Sequence, residues 1–197
     1  MILSYKEILS AIAIALTFIA FFPYIRSILK EETQPHVFSW VIWGSTTFIV
    51  FLAQLKGGGG TGAWPIGLSG LITIVVAILA YLKKSDKTIT LIDWCFFLSA
   101  MASLPVWYLT SNPLWAVVIL TVVDVLGFGP TVRKAYYHPY EENLTFFSIF
   151  MVRNIIVILA LEYYSLTTML FPAVIACACL TLIAMVMLRR RMLSGEV

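Results

Sequence analysis

Apolar runs of about 20 residues recur along the chain, separated by short polar breaks. At 1.5 Å per residue, a helix of that length spans the roughly 30 Å hydrocarbon core of a bilayer. The pattern predicts seven spans, at 7–29, 37–56, 62–83, 89–109, 113–136, 144–163 and 167–190. The breaks EETQPH, GGGGTG, KKSDK, TSNP, HPYEEN and YYSLTT carry the turn-forming and charged residues. All are short, so neighbouring helices are expected to run antiparallel. The opening MILSYKE and ILSAIAIALTFIAFF run straight into PYIRSILK with no A-x-A cleavage pattern, which reads as an uncleaved first span.

Composition narrows the class. The chain is 61% apolar and 12% charged, about half the charge of an ordinary soluble domain. An all-α integral membrane protein with almost no soluble part is the expectation. The net charge of +3 sits in short flanks between apolar runs, so nucleic acid is not an expected partner and the bilayer is. Placement of the cations then gives direction. Arg26, Lys30, Lys83, Lys84, Lys87, Arg133, Lys134 and Arg189 to Arg191 fall at one set of span ends, against Lys6 and Lys56 at the other. The positive-inside rule puts the amino terminus outside and the carboxyl terminus in the cytoplasm. Trp64, Trp107, Trp115, Tyr163 and Tyr164 fall near the outer ends, where amphipathic rings favour the interface.

Nothing in the chain reads as an enzyme. His36 and His138 lie in loops, no metalloprotease or nucleophile-elbow motif occurs, and the glycines at 57–60 lack the lysine of a phosphate loop. Cys95, Cys177 and Cys179 lie in apolar runs and are expected to be small buried residues, not a disulfide or metal site. No metal or cofactor is implied.

Offsetting the chain against itself so that Pro23 falls on Pro130 also brings Arg26 onto Arg133 and Pro65 onto Pro172. FFPYIRSILKEETQPHVFSW then parallels GFGPTVRKAYYHPYEENLTFFS, with Phe38-Ser39 matched to Phe147-Ser148 across a slightly longer loop. Spans one to three thus repeat as five to seven. Three spans per copy would invert the second copy, and the single fourth span restores a parallel pair. The expected division is a first three-helix repeat at 1–84, a linker helix at 85–111, and a second repeat with a short tail at 112–197. Parallel repeats of this kind are a transporter architecture, with the substrate near mid-depth between the halves.

This 3-1-3 layout, its outside amino terminus, and a proline near the inner end of spans one and five followed by a basic residue and polar loop resemble the SWEET and PQ-loop transporter superfamily. The family's Pro-Gln pair falls on Pro23-Tyr24 and Pro130-Thr131, and its sugar-binding asparagines on Ser69 and Ala176. The stretch Pro35 to Trp43, PHVFSWVIW, also resembles a group of bacterial membrane proteins. The resemblance implies a bacterial inner-membrane transporter of a small solute, working by alternating access. It also admits proton coupling through a fifth-span aspartate.

Two charges stand inside the apolar runs. Asp124 and Arg153 lie about ten residues into spans five and six respectively, about 15 Å deep. Either one alone there would cost on the order of 3 kcal/mol. One reading is a structural ion pair fastening helices five and six, with Asn154 assisting; the other is a substrate or proton site in the central cavity. In the first copy Thr17 takes the place of Asp124, so the charge is asymmetric between halves. Gln54, Ser69, Thr73, Ser99 and Ser103 either line a path or bond to helix backbone. Trp40 and Trp43, three apart on one face, either wall a solute or pack. Pro23 and Pro130 break the helix ladder and are hinge candidates or static kinks. Pro65 and Pro172 are expected in first turns, where proline is tolerated. The basic and acidic flanks, Arg26, Lys30, Glu31 and Glu32 against Arg133, Lys134, Glu141 and Glu142, either bridge the halves or are simply solvated.

Two functions fit this frame. A transporter needs a mid-depth cavity that includes Asp124, whereas a receptor or scaffold could fill that volume with side chains. The sequence leaves homo-oligomerisation open.

Overall fold

The protein is described here by a computed structural model covering residues 4–31, 37–83, 91–141 and 144–194. Among these residues the structure is helical, with no strand. The α-helices are α1 (Tyr5–Leu29), α2 (Val37–Lys56), α3 (Trp64–Leu82), α4 (Leu91–Thr110), α5 (Pro113–Tyr137), α6 (Leu144–Ala160) and α7 (Leu166–Ser194). Short 3-10 turns at Gly60–Ala63 and Pro139–Glu141 precede α3 and α6.

Local chemistry sets the starts. Ser4 caps α1 in a capping box, its hydroxyl accepting from the Glu7 N–H while the Glu7 carboxylate takes the Ser4 N–H at 2.6 Å. Asn112 accepts from the Leu114 N–H as α5 begins, and the Ser165 and Thr168 hydroxyls accept from each other's N–H groups at the head of α7. Helix α6 stops at Ala160, short of the expected end at 163, and α7 runs to Ser194, past its own at 190.

Among the described residues, four helical segments are long and apolar enough to cross a bilayer: Tyr5–Leu29, Val37–Lys56, Gly60–Leu82 and Leu166–Ser194. Trp94–Thr110, Pro113–Gly129 and Leu144–Ala160 are shorter apolar stretches. The outer faces of the helices carry Phe18, Phe22, Leu71, Ile78, Leu98, Leu126 and Leu180, all exposed. So continuous an apolar exterior suits lipid and not water, and the protein is a helical, membrane-embedded one.

Packing does not follow chain order. Helix α3 packs against both α1 and α2, and α7 against both α5 and α6, so the third helix of each set stands in the middle. The two sets meet through α1 against α6 and α2 against α5. Helix α4 lies against α5 and α2. Small residues supply the close approaches: Gly44 lies against Ile74 and Gly70 against the Phe48 backbone, in the α2–α3 seam.

Two expectations need correction. Cys95 and Cys177 are exposed on the apolar exterior, and only Cys179 is buried; a small apolar residue meets no penalty when it faces lipid. Pro172 lies inside α7 and not in its first turn, because the Ser165–Thr168 cap starts that helix earlier. In the flanks, Lys83 Nζ pairs with Glu31 Oε1 at 3.0 Å, within the first set of helices. Pro23 and Pro105 also lie inside helices, α1 and α4, which continue past them. The readings placed on Glu32, His36, Lys84, Lys87 and Glu142, and on the side chains of Pro130, Arg133, Lys134 and Glu141, lie outside the described residues.

Candidate functional site

A cavity of about 630 Å³ lies between the two sets of helices. Its wall is built from α1, α2, α3, α5, α6 and α7, with nothing from α4. Asp124, Arg153, Asn154, Ser69, Trp40 and Trp43 all line it, and so does Pro23. Thr17 is fully buried behind that wall and reaches the site through Arg153. The cavity extends toward the end of the molecule that carries Arg26, Lys83 and Arg190, where Ser27, Thr131 and Thr145 line it.

The expected ion pair between Asp124 and Arg153 is not formed, because α7 separates α5 from α6 and each charge turns to the other half of the molecule. Arg153 is buried and each of its three nitrogens donates a hydrogen bond. Its Nε donates to Thr17 Oγ1 at 3.2 Å, its Nη1 to Asn154 Oδ1 at 3.1 Å, and its Nη2 to the carbonyl of Pro65. The guanidinium also lies 5.7 Å from the centre of the Phe150 ring. Asp124 accepts one hydrogen bond, from Thr46 Oγ1 at 3.0 Å, and is only partly buried. Its second carboxylate oxygen takes no bond from any described residue and faces the cavity.

These two contacts share one rule. The offset that carries Pro23 onto Pro130 carries Thr17 onto Asp124 and Thr46 onto Arg153. The α1–α6 contact, Thr17 with Arg153, therefore has its counterpart in the α5–α2 contact, Asp124 with Thr46. The rings obey the same offset. Phe21 meets Trp40 edge-on at 6.4 Å, and Phe128 meets Phe147 edge-on at 5.9 Å. This corrects the match of Phe38 to Phe147. Phe38 turns outward to Trp94 and Phe97 of α4, and it is Trp40 that occupies the place of Phe147.

Aromatic residues make most of the wall. Tyr24 stacks on Trp40 at 5.0 Å, Trp40 meets Trp43 edge-on at 5.7 Å, and Phe21 meets Phe150 at 5.6 Å. Sequence reasoning weighed the two tryptophans as packing and passed over Tyr24, Phe128, Phe147 and Phe150. The signal was available in register: at the repeat offset, Trp40, Trp43 and Thr47 on α2 have Phe147, Phe150 and Asn154 as counterparts, and all of them line the cavity. Ser69 and Thr73 also line it, with Thr73 Oγ1 returning to the Ser69 carbonyl. Ser103 bonds to backbone within α4 and Ser99 is exposed, so neither belongs to the site.

The opposite end is sealed by hydrogen bonds between the two sets. Lys6 Nζ donates to the Leu161 carbonyl at 2.6 Å, and Gln54 Nε2 to that of Thr168 at 2.7 Å. The Glu162 N–H donates to the Gly59 carbonyl, while its carboxylate accepts from the Thr61 N–H. The glycine run makes this possible: Gly58 and Gly60 adopt positive φ, and a Cβ on Gly62 would stand 2.6 Å from the Leu161 nitrogen. No family model, curated protein or solved structure matches the chain. Its functional reading rests on its own residues.

Proposed function

We propose that this protein is a small-solute transporter of the inner membrane, built as a SWEET-like 3-1-3 frame and working by alternating access. In this reading the seven helices are two parallel three-helix units joined by α4. The cavity between them is open toward the cytoplasm and closed toward the outside, where the amino terminus lies. The observation that carries the reading is a cavity between the two sets that holds Asp124, with hydrogen bonds between the sets, among the described residues, at one end. The middle placement of α3 and α7, and the contacts repeated at a single sequence offset, support the pairing of units.

Closure of the outer end is reversible in this account. It rests on hydrogen bonds from Lys6, Gln54 and Glu162 together with a buried apolar cluster at that end, where Val50, Ile66, Leu120, Val157 and Phe171 join both halves. Gln54 Oε1 and Thr61 Oγ1 are buried there without a partner among the described residues, which costs the closed state on the order of 1–3 kcal/mol per group. Asp124 is the candidate proton carrier, since its free oxygen faces the cavity and no cation among the described residues holds it in an ion pair. A receptor or scaffold on the same frame would have no need of the open volume.

Proteoliposome uptake tests the proposal, using sugars, amino acids, nucleosides and amines with and without a pH gradient. The expected outcome is uptake of at least one class, with the gradient-driven part lost in Asp124→Asn. Normal pH-driven uptake by that variant would discard the coupling, and no uptake of any class would discard the transporter.

A further inference from the structure

We infer that the solute is an organic monocation, an ammonium group carried on an apolar or aromatic body. The inference rests on the transporter reading and narrows its substrate. Both charges border the cavity, but they offer a solute different things. Arg153 is 2% exposed, and its Nε, Nη1 and Nη2 already donate to Thr17, Asn154 and Pro65. Three of its five N–H donors are thus committed to protein, and what it offers a solute is reduced to the other two. Asp124 has spare acceptor capacity, and a carboxylate with a free oxygen in an otherwise apolar chamber attracts a cation.

The surroundings of Asp124 favour the same charge. The Thr46 hydroxyl lies 3.0 Å from both the carboxylate and the carbonyl of Trp43, one turn away, and its single proton is shared between them, so the carboxylate and that residue share the α2–α5 seam. Gly127, one turn beyond Asp124, lets the indole come close: a Cβ there would stand 3.1 Å from Trp43 Nε1. Trp43 in turn meets Trp40, and Trp40 stacks on Tyr24. A carboxylate in a chamber walled by aromatic rings is the chemistry that recognises alkylammonium groups, through charge and cation–π attraction together. The rest of the wall, with Phe128, Phe147 and Phe150, suits an apolar body.

The test uses the purified full chain in lipid nanodiscs and four probes of one shape. These are 2-phenylethylamine, its trimethylammonium analogue, neutral 2-phenylethanol and zwitterionic phenylalanine. Binding is read by thermal stabilisation and by quenching of tryptophan fluorescence. Both cations should bind, and the alcohol and the zwitterion should bind at least about tenfold more weakly. Asp124→Asn should weaken cation binding by roughly 10- to 100-fold. Trp43→Leu should weaken it by roughly 3- to 30-fold and Trp43→Phe by less, which keeps the test open should Asp124→Asn fail to fold. Equal binding of alcohol or zwitterion, cation binding indifferent to both positions, or no cation binding would overturn the inference. In each of those cases uptake of another solute class by proteoliposomes would leave the transporter reading standing.

Discussion

Two corners of the cavity are built alike and charged oppositely. At one, Thr17 of α1 meets Arg153 of α6; at the other, Thr46 of α2 meets Asp124 of α5. The paired positions are related by the offset that superposes the two halves of the sequence. Positions matched by one sequence offset thus hold a threonine and a charge, and each charge bonds to a helix of the other set. The difference lies in what else each charge does. Arg153 gives three of its N–H donors to protein and ties α6 to α1 and α3, whereas Asp124 keeps one oxygen without a partner among the described residues. A buried polar group in a membrane protein can be held for structure or kept for function, and the two corners offer a way to tell these apart.

That contrast can be broken experimentally. Arg153→Leu removes donors from Thr17, Asn154 and the Pro65 carbonyl together, and should cost about 3 kcal/mol of stability in thermal or denaturant unfolding. An unchanged melting temperature would mean the corner is not structural. Asp124→Asn keeps an oxygen for Thr46, so its stability should change by less than about 1 kcal/mol while transport suffers. Loss of the fold in that variant, with Arg153→Leu tolerated, would reverse the assignment of roles. The smallest effects should come from Thr17→Val and Thr46→Val, each about 0.6 kcal/mol, the average for a hydrogen bond between membrane helices. Of the two, only Thr46→Val should alter solute affinity, because it alone touches the carboxylate that faces the cavity.

Much of this was legible in the chain. Helix positions follow from apolar runs and polar breaks, and Asp124 and Arg153 declare themselves by interrupting apolar sequence. Lateral order was not. Adjacent helices in sequence suggested an ion pair between α5 and α6, but α7 intervenes, and no periodicity within a helix reports which neighbour it meets. Aromatic function was hidden for a related reason. In a membrane protein apolar residues face lipid as readily as the interior, so Phe147 on the cavity and Phe18 on the exterior look alike in sequence. Matching letters across the repeat misled as well, since Phe38 resembles Phe147 while Trp40 fills its place.

The central claim is that the cavity opens at one end of the molecule and is closed at the other. Single cysteines at Thr145, on the open side, and at Ser10, whose hydroxyl is buried against the Thr61 carbonyl, test it directly in a background with Cys95, Cys177 and Cys179 replaced. A membrane-impermeant thiol reagent should label Thr145→Cys in inverted vesicles and not in intact cells, and Ser10→Cys should resist labelling from either side at rest. Labelling of Thr145→Cys from outside the cell, or ready labelling of Ser10→Cys in the resting protein, would contradict the account.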